Sequence, residues 1–286
     1  MKRVLVLGGT RFFGRNLVKK LIEDGYDLTI ATRGRAKDPF GNDVKRLIVD
    51  RNDKESMAKT FSGQRFAFVF DNLCYSPNAA LNACAAFDGK VDKYILTSSQ
   101  AVYEQGTFRR EEEFNPGRYP IRYGEREAFE YGEGKRLAES VFFQKAPFSV
   151  TAVRFPVVIG EDDYTGRLRS YLEMIRQGVP LYIDNSESRI SLITDSEAGK
   201  FLAWIAGQDF KGPINACCNG AIKIKEIVGI CEANAHRRWI PADSRRGAVG
   251  TFNGSFDNTL DNGKARMMGF LFRDIHEAVE AIIGGF

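Results

Sequence analysis

Apolar residues in this chain recur as short unbroken runs separated by stretches with helical spacing, which predicts alternating strands and helices over the first half. Val4 to Leu7 is all apolar and built of good strand formers. Behind Gly8 and Gly9 come Phe13, Leu17, Val18 and Leu21, spaced along one face of a helix. Asp24-Gly25 closes that helix, and Tyr26 to Thr32 reads as a second strand, followed by the basic loop Arg33-Gly34-Arg35-Ala36-Lys37. Arg46 to Asp50 gives a short third strand. Asp53 opens a helix with Glu55 in its first turn, and Phe66 to Phe70 suits a strand covered on both faces. Asn78 to Phe87 supplies the next helix. Tyr94 to Thr97 supplies the next strand, which ends in Ser98-Ser99-Gln100-Ala101-Val102-Tyr103. The order predicts an α/β fold with a doubly wound parallel sheet, and it places hydroxyl groups at the carboxyl edge, where ligands of such sheets sit.

The second half is less regular. Glu111 to Tyr123 has prolines, a glycine and mixed charge without periodicity, so it is expected as a long loop over that edge, with Glu111-Glu112-Glu113 as a solvated face. Arg126 to Phe143 is a long helix candidate in which Tyr131 and Lys135, four residues apart, project from one face. Gly132 and Gly134 each cost that helix roughly 1 kcal/mol against alanine, so close packing or ligand approach is expected to justify them. Ser149 to Ile159 reads as one buried strand, and a helix runs through Ile175. Leu181 to Ile183 is a short strand outside the sheet, Arg189 to Ile193 one that rejoins it, and Asp195 to Ala206 a helix. A strand at Ile214 to Cys217, a helix at Lys225 to Ala235, a short strand at Arg238 to Ile240 and two C-terminal helices complete the pattern.

The first strand, glycine turn and helix have the form of a Rossmann-type dinucleotide cradle. Gly8 lets the backbone turn out of the strand, Gly14 lets the helix pack close, and the helix's free N–H groups and positive dipole end receive a pyrophosphate. The spacing Gly8, Arg11, Gly14 is a glycine fingerprint with arginine in place of the middle glycine. An acidic residue commonly closes the second strand of an NAD site, whereas Thr32 and Arg33 stand there here. That favours NADP over NAD, with Arg11, Arg33 or Arg35 to hold the 2′-phosphate; the competing reading of Arg33, Arg35 and Lys37 is a solvated turn. Two regions are expected: a dinucleotide-binding domain over 1–161 plus 189–216, and a smaller substrate-binding lobe over 162–188 plus 217–286, closing over the nicotinamide end.

With 286 residues and 43% hydrophobic content, the chain can bury a full core for such an arrangement. The N-terminus runs straight into the first strand and no apolar run approaches the ~20 residues that span a bilayer, so a cytoplasmic protein without membrane contact is expected. The five cysteines, Cys74, Cys84, Cys217, Cys218 and Cys231, lack the paired spacing of a zinc site and read as buried thiols. His236 and His276, the only histidines, have no ligand partners nearby in sequence, so no metal is expected. A net charge of +4 suits a small anionic substrate and is too weak to argue for nucleic acid by itself.

Fingerprint, hydroxyl-bearing strand end and Tyr-x-x-x-Lys helix, in this order, resemble the extended and atypical short-chain dehydrogenase/reductases, the NAD-dependent epimerase/dehydratase-like group. The resemblance implies that Gly8, Gly9, Thr10, Arg11, Phe12, Phe13 and Gly14 form the phosphate loop and that Asp50 contacts adenine. Ser99, four before Tyr103, falls at the catalytic hydroxyl position, and Tyr131 and Lys135 at the catalytic pair. It further implies an NAD(P) cofactor, a nucleotide-sugar-like substrate, and a homodimer paired through the helix that carries the tyrosine.

The chemistry calls for those residue types. Moving a hydride between a substrate carbon and nicotinamide requires a proton to leave or join the adjoining oxygen, and a free tyrosine with pKa ~10 is a poor base at neutral pH. A lysine ammonium one turn away favours the phenolate, and a serine hydroxyl hydrogen-bonds the reacting oxygen. Arg167, Arg169 and Arg189 are candidates to bind the substrate's phosphate or carboxylate, between the sheet edge and the later lobe. Val157 stands where the epimerases carry an asparagine, and Gln100-Ala101 where 4,6-dehydratases carry Asp-Glu, which disfavours water elimination. The expected activity is epimerase or oxidoreductase. Arg11 aligns the loop with an atypical branch that includes the chloroplast stem-loop RNA-binding proteins, so the rival reading is an RNA binder, with the basic cluster Arg237, Arg238, Arg245 and Arg246 as its contact surface.

Overall fold

The apolar runs become strands whose side chains are covered on both faces; Val4, Leu5, Val6 and Leu7 are wholly buried. The computed structural model describes residues 1–243 and 248–286, and the chain divides into two units. The first comprises Met1–Glu104, Glu111–Phe155 and Asp195–Ala216; the second comprises Gln105–Arg110, Pro156–Thr194 and Cys217–Phe286. These bounds differ from those drawn on the sequence: residues 105–110, 156–161 and 189–194 fall in the second unit.

In the first unit, seven strands form a parallel sheet: β1 (Arg3–Leu7), β2 (Asp27–Thr32), β3 (Lys45–Ile48), β4 (Phe66–Asp71), β5 (Val91–Ser99), β6 (Ser149–Phe155) and β7 (Gly212–Asn215). Their spatial order is β7-β6-β5-β4-β1-β2-β3. The crossovers carry α1 (Phe13–Glu23), α2 (Lys54–Thr60), α3 (Pro77–Ala86), α4 (Tyr131–Lys145) and α5 (Asp195–Ala206). The order reverses beside β1, so the crevice at the carboxyl ends of β1 and β4 is the topological switch point. This is the expected doubly wound α/β sheet. The helices start where local chemistry dictates. Asp53 accepts from the backbone N–H groups of Glu55 and Ser56 at α2, and Ser76 from that of Ala79 at α3, which opens with Pro77. At Gly199, α5 lies so close to α1 that a Cβ would stand 2.6 Å from the Leu17 nitrogen.

The second unit contains a four-stranded sheet in the order Ile222–Lys223, Arg189–Ile190, Asn258–Leu260, Gly106–Arg109. Helices Arg167–Gln177, Ile224–Ala235 and Ile275–Gly284 share a core with Tyr171, Leu172, Ile227, Val228, Val279 and Ile283. Among the described residues no helix is long and apolar enough to cross a membrane.

Several sequence expectations are corrected. Ser149 to Ile159 is not one strand: Pro156 has no N–H to continue the ladder, so β6 ends at Phe155 and Val157–Ile159 pairs instead with Leu192–Thr194. Arg189 to Ile193 does not rejoin the main sheet, since its halves pair with Ile222–Lys223 and Asn258 on one side and with Val157–Ile159 on the other. Arg238 to Ile240 forms no strand. The helix expected from Arg126 begins at Tyr131, after a single 3₁₀ turn at Arg126–Ala128. Glu111 is not part of a solvated face; it is 5% exposed and accepts a hydrogen bond from the Asn215 backbone at 2.9 Å.

The two glycines of α4 are explained by close packing. A Cβ at Gly132 would stand 2.5 Å from the Ala101 carbonyl oxygen, and one at Gly134 would stand 2.6 Å from that of Tyr75. Gly134→Ala should therefore lower stability by roughly 1–3 kcal/mol despite alanine's better helix propensity. Gly229→Ala, in helix Ile224–Ala235 with open space around it, should raise stability by up to about 1 kcal/mol. Urea unfolding midpoints of the two variants check the contrast.

Candidate active site

The loop after β1 is shaped by backbone that only glycine adopts easily. Gly8 and Gly9 have φ of 98° and 96°, and a Cβ at Gly9 would meet Val18 at 2.9 Å and Val6 at 3.0 Å. Gly14 packs the start of α1 onto Gly9, with its missing Cβ 3.0 Å from the Gly9 Cα. Phe12 holds φ 49° at the N-cap of α1 and gives no side-chain cap, which leaves the helix dipole end open to an anion. Thr10, Phe12 and Phe13 are half-buried, and Arg11 is exposed. At the end of β2, Thr32 accepts from the Gly34 N–H at 3.1 Å, and Arg33 and Arg35 are exposed beside it. Asp50 is an exposed turn residue that accepts from the Asn52 N–H at 3.0 Å.

Its neighbour Arg51, which the sequence reading passed over, is buried and forms an ion pair with Asp71 at the end of β4. Arg51 also donates to the Ala79 carbonyl at 2.6 Å, and Tyr94 donates to Asp71 at 2.6 Å. Burial alone would raise the Asp71 carboxyl, but the Arg51 guanidinium holds it below the usual carboxylate range. Asp71 in turn accepts from the Leu73 N–H at 2.9 Å, which shapes the turn that presents Asn72, Cys74 and Tyr75. The signal was there: an aspartate closing an otherwise apolar strand must find a cation.

Asn72 is 8% exposed; its Oδ1 accepts from the Thr97 hydroxyl at 2.7 Å, and its Nδ2 has no hydrogen-bond partner. That Nδ2 would lie 3.5 Å from a Cβ at Gly14, so it borders the glycine loop. Among the described residues the other buried side-chain polar atom without a partner is Gln100 Oε1, directly after Ser99. Such orphans cost about 1–3 kcal/mol each and mark places where a ligand or water completes the bonding. A close-packed glycine loop, an uncapped helix start and an unpaired amide donor beside them fit a dinucleotide.

Ser99 ends β5, 9% exposed, and accepts from the Ala101 N–H at 3.2 Å. Lys135 is 2% exposed, and its Nζ donates to the carbonyls of Thr97 at 2.9 Å and Cys74 at 2.8 Å. Tyr131, one turn earlier, is 51% exposed, with its ring 6.3 Å from that of Tyr75. Lys135 anchors α4 to the strand end two residues before Ser99, and Gly132 rests on the turn that Ser99 opens, so the three residues share one neighbourhood.

The three arginines expected to hold substrate lie in the second unit and do not form one cluster. Arg167 reaches Asp163 at 4.0 Å, whereas Arg169, two residues on and therefore on another face of the helix, stands over the Phe286 ring at 4.6 Å. Arg189 is exposed on its short strand. In the basic cluster, Arg238 pairs with Glu232 and Arg237 donates to the Arg176 carbonyl, each at 3.0 Å, while Arg245 and Arg246 lie outside the described residues. Among the described residues no group of three or more metal-ligating side chains comes together.

Sheet order, glycine loop and switch-point crevice together define a Rossmann-type α/β protein. Residues 4–72, the cradle itself, match the model of the NAD dependent epimerase/dehydratase family. The UDP-glucose 4-epimerase of Thermus thermophilus, solved in complex with NAD, superposes with a TM-score of 0.76 at 18% identity, covering 98% of this chain and 97% of that one. The UDP-glucose 4-epimerase of Thermotoga maritima, solved with UDP-glucose, gives 0.75 at 19% identity over 98% and 97%. A chloroplast stem-loop binding protein of 41 kDa from Arabidopsis thaliana is 25% identical over 203 residues. That match takes in 66% of this chain and about half, 51%, of the relative's length.

All five cysteines are buried thiols. Burial pushes the Cys74 thiol up to about 11, and those of Cys84 and Cys231 up to about 12. Because the thiolate is the reactive form, a thiol-specific chromogenic reagent at neutral pH should label the folded protein slowly, and all five sites rapidly after denaturation.

Proposed function

We propose that this chain is an NAD(P)-dependent epimerase or oxidoreductase that acts on a nucleotide-sugar-like or related anionic substrate by hydride transfer. The observation that carries the reading is the pair of buried, unpartnered polar atoms, Asn72 Nδ2 and Gln100 Oε1. One borders the glycine loop and the other follows Ser99, at the ends of adjacent strands. The family match over the cradle supports the cofactor, and the nucleotide-sugar epimerases of the same fold support the substrate class.

In this reading the loop from Gly8 to Gly14 and the start of α1 hold the pyrophosphate, and Asn72 adds a donor beside it. A bound nicotinamide would accept a hydride from a substrate carbinol carbon and could return it. The chain's own residues move the proton: the substrate hydroxyl gives it to the Tyr131 oxygen while Ser99 hydrogen-bonds the oxygen that becomes a carbonyl. Lys135 favours the phenolate of Tyr131 through its positive charge and would hold the ribose of a bound nicotinamide nucleotide. An epimerase lets the keto intermediate turn before the hydride returns; a reductase runs the step in reverse, with Tyr131 giving its proton to a carbonyl oxygen whose carbon receives the hydride from the reduced cofactor, so that alcohol and oxidised cofactor leave. Gln100 and Ala101 offer no carboxyl group for eliminating water. The second reading, RNA binding on the same fold, is supported by the likeness to the chloroplast stem-loop binding protein.

Tyr131→Phe keeps the ring and deletes the proton-carrying oxygen. Turnover of a UDP-sugar, followed by chromatography of the sugar products, should fall by ~10²–10⁴-fold while cofactor affinity is retained. Near wild-type turnover in that variant would sink the catalytic assignment and leave binding as the protein's role.

For the cofactor we favour NADP over NAD, because Thr32 presents no carboxylate against a 2′-phosphate and Arg11 and Arg33 are exposed for one. Replacing both arginines by glutamine should weaken NADP by about tenfold or more, as for one or two charge-assisted bonds, and change NAD much less. Titration calorimetry with each dinucleotide decides this, and equal losses would reject the preference.

A further inference from the structure

Tyr75, in the turn after β4, has a role that neither the glycine loop nor the Ser-Tyr-Lys set assigns. The Lys135 Nζ stands 4.3 Å from the centre of its ring, and the Arg126 guanidinium carbon stands 4.9 Å from it. Its ring centre lies 6.3 Å from that of Tyr131, its hydroxyl lies 3.4 Å from the Asn72 carbonyl, and its own carbonyl oxygen is the atom that forbids a side chain at Gly134. One aromatic ring therefore touches the ammonium and the phenol that the proposed reaction couples.

An ammonium has three donors, and two of those on Lys135 are taken by the carbonyls of Cys74 and Thr97. The ring face of Tyr75 offers negative quadrupole charge to the same nitrogen, which favours the charged lysine and restricts where it sits. Cys74, whose carbonyl shares this duty, cannot supply negative charge instead, because burial pushes its thiol up to about 11. The charged and titratable groups around this turn include Arg126 over the Tyr75 ring, Cys74, and the Arg51–Asp71 pair behind Cys74, and the Tyr75 ring meets both the Lys135 ammonium and the Tyr131 ring.

We propose that Tyr75 is a positioning residue: its ring fixes the Lys135 ammonium beside Tyr131, and through that charge it sets the ease with which Tyr131 forms its phenolate. The inference rests on the proposed Tyr131-Lys135 pair and adds a residue to it. A ring is what the role demands, so phenylalanine suffices and an aliphatic side chain of similar size does not.

The test is a pH titration of the Tyr131 phenol by ultraviolet difference absorbance in the full chain without substrate. The Tyr131 component is isolated by subtracting the matching Tyr131→Phe protein in the wild-type, Tyr75→Phe and Tyr75→Leu backgrounds. In Tyr75→Leu the Tyr131 titration should move to higher pH, with Tyr75→Phe unchanged. The acid limb of the turnover profile should move by the same amount, with KM for the sugar nucleotide held. A Tyr131 that titrates below the ordinary tyrosine range in all three backgrounds alike overturns the role of Tyr75 and leaves the Tyr-Lys pair standing. A wild-type Tyr131 that titrates as an ordinary tyrosine removes the pair, and this inference with it.

Discussion

Arg154, the second-to-last residue of β6, is a fully buried cation on which the candidate site depends. Its guanidinium pairs with the equally buried Glu139 of α4 at 2.6 Å, and its remaining donors go to the Tyr103 hydroxyl and the carbonyls of Glu111 and Phe114. Glu139 also accepts from Ser98, one residue before Ser99. Such a pair is tolerable in the interior only because every donor and lone pair is used; losing one partner would strand a buried charge, at a cost of about 3–5 kcal/mol. The arrangement binds together α4, the end of β5 and the segment that leaves it, which are the elements carrying Tyr131, Lys135 and Ser99.

Close approach does the remaining positioning. Gly132 and Gly134 bring α4 against the carbonyls of Ala101 and Tyr75, while Lys135 reaches the carbonyls of Cys74 and Thr97. The turn holding Cys74 and Tyr75 is fixed from behind by the Arg51–Asp71 pair. Two buried ion pairs, one at each end of the row from β4 to β6, therefore frame a stretch of strand ends. Between them lie the two buried side-chain polar atoms that have no partner among the described residues. Buried polar atoms left without a protein partner are where a ligand or water can complete the bonding, and Asn72 Nδ2 and Gln100 Oε1 lie at one edge of the sheet.

The relation between fold and function is uneven along the chain. The cradle carries a family signature in sequence as well as in shape, whereas the rest resembles nucleotide-sugar epimerases in shape at below 25% identity. A fold of this kind does not by itself set a function, and one relative in sequence is named for stem-loop binding.

Local patterning by itself determined the parallel sheet, the glycine loop and the placing of Tyr131 and Lys135 on one helix face. Strand runs, glycine turns and four-residue spacing are properties of neighbouring residues, and short-range sterics fix them. The tertiary structure alone decided three things. Pro156 ends β6 and sends Val157 to Thr194 into the second unit, because the partner for a strand is chosen by distant chain. Glu111, one of three adjacent glutamates, goes inside because an N–H at Asn215 awaits it, and nothing in the run Glu111-Glu112-Glu113 distinguishes the first from the others. Arg51 and Arg154 become interior cations because Asp71 and Glu139, 20 and 15 residues away in sequence, meet them after folding. A charged residue inside an apolar run announces that it needs a partner, and only the packed chain names which one.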